Sequence, residues 1–342
     1  MHPDWLASLA SRGATVADGA VRDFGDAPRE RAVTASGSIV ADLSQYGLLA
    51  AAGADARAFL HAQLSCDVED LTEDAAVHGV YCTAKGRVLA NFLLWSEAGT
   101  FLMLLPRALG PGIRKRLQMF VLRSKVTLAD CSDDRVVLGL AGAGACDAVK
   151  ALVGSVPAGS LKIARGGGVT ALAIDDDRFV VIAPVAQAAA AWDRAAGALT
   201  PVGAPCWEWL EIAHGLPWIT PATQDQFVPQ MANLELIGGV NFRKGCYPGQ
   251  EIVARTQYLG KPKRRLFLAH VDAEASPVPG DALVADGGDQ SAGTVVNAAP
   301  APQGGFDLLA VVRTASADSA TVRLGSPGGP ALRFRPLPYA VP

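Results

Sequence analysis

Residues 77–106, "VHGVYCTAKGRVLANFLLWSEAGTFLMLLP", hold three apolar runs broken at "TAKGR" and "SEAGT". Each break carries a glycine able to take the backbone angles of a tight turn, so the pattern predicts three antiparallel strands. Upstream, "SIVADLSQYGLLAAAG" alternates like two short strands, and "ADARAFLHAQLS" places Phe59, Leu60 and Leu64 at helical spacing with Asp55 near its start. Downstream come a basic helix, "RALGPGIRKRLQMFVLRS", and a strand, "KVTLAD". From about residue 135 the rhythm restarts. A strand "RVVLGLAG", a helix "AGACDAVKALVG", a hairpin "VTALAIDDDRFVVIAP" and two helices, "VAQAAAAWDRAAGAL" and "APCWEWLEIAHG", follow in order.

Hairpins outnumber βαβ crossovers in both stretches, which predicts an α+β fold of two mixed α/β domains rather than a doubly wound parallel sheet. After "GKPKRR" the chain turns to short strands split by Gly, Pro and Asp, the pattern of a small all-β barrel or sandwich. The expected organisation is therefore an N-terminal extension (1–37), a region over 38–260 with a break near 130–135, and a C-terminal β-domain (261–342), with the boundary near Lys261. Such a division suits 342 residues, more than one core usually serves.

Composition narrows the function. Half the residues are hydrophobic and 18% are charged, enough apolar material for packed interiors. A formal net charge of −3 argues against a general polyanion binder, so direct nucleic-acid binding is not expected. The apolar runs fall short of the roughly 20 residues of a membrane span, and the N-terminus lacks a basic segment followed by an apolar one, which predicts a cytoplasmic protein. The six cysteines, at 66, 82, 131, 146, 206 and 246, form no CxxC, so no metal site built from local cysteine pairs is expected. Cys82, Cys131, Cys146 and Cys206 read as ordinary small buried residues.

Phosphate-loop, dinucleotide, HExxH and GxSxG patterns are missing from the sequence. "GGG" at 166–168 reads as a loop, and Asp175–Asp177 as a solvated hairpin tip or, alternatively, a metal site. Lys261, Lys263, Arg264 and Arg265, and the helix with Arg107, Arg114, Lys115 and Arg116, read as solvated faces or as surfaces toward an anionic ligand or RNA. The stretch "NFRKGCYPGQEIVART" (241–256) stands apart. Gly245 and Gly249 allow positive φ and Pro248 fixes its own, which makes a stiff turn around Cys246. "GQEIVARTQYL" reads as a helix with Glu251 in its first turn and Glu251–Arg255 as an i, i+4 pair. A cysteine just ahead of a helix N-terminus and beside Lys244 has two reasons for a lowered thiolate pKa. A filler cysteine in a structural turn is the alternative. No histidine lies beside Cys246 in sequence; His61 is placed on a helix, His78 and His270 in strands, and His214 at a helix end.

"FVPQMANLELIGGVNFRKGCYPGQEIVARTQYLGKPKRRLF" resembles the signature region of the YgfZ family, whose hallmark is K-G-C-Y-x-G-Q-E. Lys244, Gly245, Cys246, Tyr247, Gly249, Gln250 and Glu251 match every fixed position. "FLHAQLSCDV", "YCTAKGRVLANFLLW", "FVLRSKVTLAD" and "HGLPWI" resemble the same family in order, from about residue 38 to at least 270. The family is similar to the glycine-cleavage T-protein, an aminomethyltransferase. The resemblance implies two α+β domains and a C-terminal β-barrel around a central folate-sized cavity. It also implies tetrahydrofolate (or a one-carbon derivative) as cofactor, and iron–sulfur client enzymes or assembly proteins, including tRNA-modifying enzymes, as partners. Cys246 would be the working thiol and Lys244 its neighbouring cation.

T-proteins carry paired aspartates after the Gly-rich hairpin, where this chain has Ala90 and Asn91. Without that carboxylate, aminomethyl transfer, the alternative activity, lacks its acid/base group. "EAG" becomes Ala213–Gly215, and the acid of "P-x-E" becomes Met231. The resemblance then implies Asn91, Gln230 and Asn233 as neutral partners of the pterin edge, and Arg255 or Lys125 facing the glutamate tail.

Overall fold

A computed structural model describes residues 1–260, 262–286 and 291–342. Lys261, where the sequence reading draws its boundary, lies outside the described residues. The chain divides into two compact units: residues 1–57, 70–77 and 93–207 form one, and residues 58–69, 78–92 and 208–342 the other. The division falls inside the strands Ala76–Cys82 and Val88–Glu97.

The first unit holds a six-stranded sheet in the order Ile163–Gly166, Val169–Ala173, Arg178–Pro184, Arg135–Ala141, Ile39–Asp42, Thr200–Val202. All its pairings are antiparallel except that of the last strand, which runs parallel to Ile39–Asp42, so the layer is a mixed α/β one. Helices Pro3–Ala10, Ala145–Val153 and Val185–Ala196 bury Leu9, Val149 and Trp192 against its strands. Trp192 lies edge-on to Trp5 and stacked on Phe24, and Trp5 donates its indole N–H to the buried Asp42 at 2.7 Å.

The three strands expected over 77–106 are Ala76–Cys82, Val88–Glu97 and Thr100–Pro106, in a five-stranded sheet completed by Tyr46–Ala52 and Thr127–Asp130. The triple glycine turns a hairpin, with Gly167 and Gly168 at positive φ. Asp175 is engaged by Arg178, which donates to it from Nε at 2.7 Å, so the acidic tip is a closed turn there.

The second unit ends in a six-stranded antiparallel sheet, ordered Val322–Leu324, Ala282–Ala285, Ser291–Pro300, Phe306–Arg313, Arg264–Val271, Leu332–Arg335, that curls into a half-barrel. Its inner face packs Ala269, Val271, Leu283, Val295, Leu308, Ala310 and Val312. Half-burial corrects two of the cysteine expectations: Cys82 and Cys206 are buried, whereas Cys131 and Cys146 are partly exposed. Among the described residues no helix is long and apolar enough to cross a membrane.

Candidate functional site

The turn around Cys246 is laced to its unit before it begins. Ser65, just past the helix Ala56–Gln63, accepts the Val80 N–H on its hydroxyl at 2.8 Å and donates that hydroxyl to the Gly239 carbonyl at 2.6 Å. Its own carbonyl takes the Asn241 N–H at 2.9 Å. The Asn241 side chain then accepts the N–H groups of Arg243 (2.8 Å) and Lys244 (3.1 Å), an Asx turn that points the chain into the motif. Lys244 donates its ammonium to the carbonyls of His61 and Leu64, the latter at 2.8 Å. These are carbonyls at the end of a helix, where no intrahelical donor reaches them. The same ammonium lies 5.1 Å from the centre of the Tyr247 ring. Burial lowers the Lys244 pKa, against the opposing pull of Cys66, Asp67, Glu69 and Cys246.

The far side of the turn is fixed by contact rather than by charge. Gly249 has φ +84°, and a Cβ on it would come within 2.3 Å of the Thr83 carbonyl and 2.7 Å of Gly86. The "TAKGR" turn and the "CYPGQE" turn therefore meet backbone to backbone, which only glycines permit. Gly245 does not share this need: its φ is not positive, and a Cβ there would meet only the His61 ring, at 3.6 Å. Tyr247 is buried, burial pushes its hydroxyl pKa up, and its N–H donates to the Gln250 side chain at 3.3 Å. That glutamine opens the helix Gln250–Leu259, for which Gly249 is the cap.

Cys246 itself is exposed. Its place in the chain predicts two activating neighbours, and the structure redistributes them. Lys244 is tied to backbone carbonyls, and the helix begins four residues later, beyond the one-turn reach of its terminal partial charge. Glu251 and Arg255 are both exposed and form no ion pair among the described residues; an exposed pair gains little over hydration. The structure adds a residue that linear reading passed over. His61, 183 positions from Lys244, turns its Nε2 toward Gly245. Its Nδ1 lies 3.4 Å from the N–H groups of Val68 and Glu69 and 3.4 Å from the Asp67 carboxylate. A histidine on the buried side of "FLHAQLSCD", followed by an acid, was the available signal.

Asn91, Gln230 and Asn233, implied as pterin partners, are all buried and all in this unit. Asn91 donates to the Pro217 carbonyl (2.8 Å) and accepts the Ile219 N–H (2.9 Å), stapling "VLAN" to "LPWI". Asn233 donates to the Leu266 carbonyl at 3.1 Å from a left-handed backbone, φ +54°. Gln230 donates to the Val253 carbonyl at 2.8 Å, and its Oε1 is buried with no partner among the described residues. Arg265, expected on a solvated or anion-facing run, is buried instead: it donates to the Gln230 carbonyl at 2.9 Å and pairs with Glu235, whose Oε2 is likewise without a partner. Strand pairing explains the burial, since Arg265 sits in Arg264–Val271 against Val312. Arg255 is exposed on its helix; Lys125 is exposed and belongs to the other unit, its backbone N–H bonded to Asp55 at 2.7 Å.

No protein-family model matches the chain. Two relatives, the tRNA-modifying protein YgfZ of Escherichia coli O45:K1 (strain S88) and that of Shigella dysenteriae serotype 1 (strain Sd197), are each 31% identical over 303 residues, 87% of this chain and 92% of theirs. A crystal structure of glycine cleavage system aminomethyltransferase T from Bartonella henselae matches with a TM-score of 0.82 at 18% identity, over 99% of this chain and 97% of that one, a likeness of fold. Sequence identity that spans most of both chains, on a fold shared with the T-protein, makes this chain a member of the YgfZ family.

Proposed function

We propose that the chain is a tetrahydrofolate-binding accessory protein that supports assembly or repair of iron–sulfur enzymes, among them enzymes that modify tRNA, with Cys246 as its working thiol. The observation that carries this reading is the construction of the turn. Lys244, Asn241, Gly249 and Gln250 each hold backbone, and the cysteine they frame is left open to solvent. A filler cysteine would be expected inside, as Cys66 and Cys82 are. The name of the relatives, tRNA-modifying protein, supports the tRNA part; the cytoplasmic setting and the iron–sulfur clients belong to the proposal itself.

The folate part draws support from the fold and from two orphaned acceptors. Gln230 Oε1 and Glu235 Oε2 are buried without hydrogen bonds among the described residues, and a buried acceptor left unpaired costs about 1–3 kcal/mol. A reduced pterin presents ring N–H and amino donors, the complement of such oxygens, so these residues fit the group. When bound, tetrahydrofolate supplies nitrogens that carry one-carbon units. Asn91 argues against an aminomethyltransferase: its amide, bonded to Pro217 and Ile219, has no acidic proton to trade. Calorimetric titration of tetrahydrofolate tests the reading. Saturable binding to wild type and to Cys246→Ala, weakened in Gln230→Leu, is expected; no saturable binding to wild type refutes the folate part.

A further inference from the structure

We propose that the end of the helix Gly110–Val121 and the loop that follows it form a docking surface for an acidic protein partner, which seats an apolar side chain beside Phe120 and Leu122. The surface belongs to the first unit and Cys246 to the second, so neither the thiol nor the folate reading enters. From Arg107 to Ala129 the chain carries six cations and no acid, although its formal net charge is −3. Arg107 is engaged by Asp133 at 2.7 Å. Arg114, Lys115, Arg116, Arg123 and Lys125 form no ion pair among the described residues, and all of them but Arg116 are exposed.

Cations alone would make a solvated face, but this face also carries large apolar groups. The helix buries Ile113, Leu117 and Val121, an i, i+4, i+8 stripe. That leaves Met119, Phe120 and Leu122 in solvent, 59%, 43% and 87% exposed. Leu122 follows the helix at φ +47° and ψ −106°, a backbone that residues with a Cβ rarely adopt. The fold thus holds a large apolar side chain outward in a disfavoured conformation. Phe120, Leu122 and Arg123 line an open depression with Asp55, Val121 and Ser124.

The lining selects the kind of partner. Phe120 is the one aromatic residue between Arg107 and Ala129, too small a platform for a run of stacked bases. Asp55, whose Oδ2 takes the Lys125 N–H at 2.7 Å, sets a carboxylate among the cations and opposes phosphates and anionic headgroups. A bilayer also calls for an apolar protrusion, whereas a depression receives one. A protein surface offers both complements: carboxylates for the cations and an apolar side chain for the hollow between them.

Fluorescence anisotropy on the full chain tests the proposal, using a labelled peptide of glutamates around a central leucine and a control with alanine in its place. The leucine peptide should bind saturably and the control about tenfold more weakly, the difference that burying the larger side chain makes. Leu122→Ser and Phe120→Ser, both at exposed positions and checked by circular dichroism, should bring the leucine peptide down to the level of the control. Arg114→Glu combined with Arg123→Glu should abolish binding of both peptides, and added salt should weaken both in wild type. No saturable binding of the leucine peptide, equal affinity for the two peptides, or full affinity in both folded serine variants overturns the proposal. Tighter binding of a single-stranded RNA oligonucleotide or of phosphatidylglycerol vesicles, lost in the Arg114→Glu, Arg123→Glu variant, overturns it as well, because the patch would then serve a nucleic acid or a bilayer.

Discussion

The turn around Cys246 and the polar cluster around Arg265 belong to the same unit and look alike in sequence, each a run of charged and amide residues among glycines and prolines. They differ in where their polar groups end. In the cluster, Asn233, Gln230 and Arg265 reach backbone carbonyls, and the Arg265–Glu235 pair is shut away from solvent. In the turn, Lys244 and Gln250 likewise hold backbone, but they surround a side chain that faces outward. A matched motif thus mixes residues that build a scaffold with one that the scaffold presents.

The largest test of that contrast is Arg265→Ala. It strands the Glu235 carboxylate, whose side chain is 3% exposed, and should cost about 3–5 kcal/mol in urea unfolding. A loss under about 1 kcal/mol would mean that the pair is not a scaffold element. Within the turn, Gly249→Ala should cost about 2 kcal/mol or more, because it combines a left-handed backbone with overlap on Thr83.

Buried thiols give a smaller effect that depends on pH. Burial holds Cys66 and Cys82 at about 12, against 9.0 ordinarily. Between about 9 and about 12 the unfolded chain has released protons that the folded chain keeps. Stability should therefore fall as pH rises through that window, by up to roughly 1.4 kcal/mol per pH unit for each thiol. Denaturation midpoints unchanged across it would contradict their burial. Smallest of all, Gly245→Ala should change stability by no more than about 0.5 kcal/mol, since its Cβ would make only an ordinary contact with His61. A large loss there would erase the distinction between the two motif glycines.

Local pattern carried the elements well. The hairpin glycines of "TAKGR", the helical spacing of Phe59, Leu60 and Leu64, and the short strands after residue 263 all fold as their periodicity predicts. Side-chain destinations were less legible, because they depend on partners far along the chain. Arg265 reads as part of a basic run until strand pairing buries it, and Gly245 reads as a φ requirement until only Gly249 shows one. His61 is invisible as a partner of Lys244 because nothing local links a helix near residue 60 to a turn near residue 245. The resemblance brought Cys246 forward for a reason that chain chemistry alone left even.

The account turns on Cys246 being presented rather than packed. Cys246→Ala should fold with the wild-type unfolding midpoint, because an exposed side chain contributes little to stability, yet fail to restore iron–sulfur enzyme activity in a strain lacking this chain. A folded Cys246→Ala protein that restores that activity in full would contradict it.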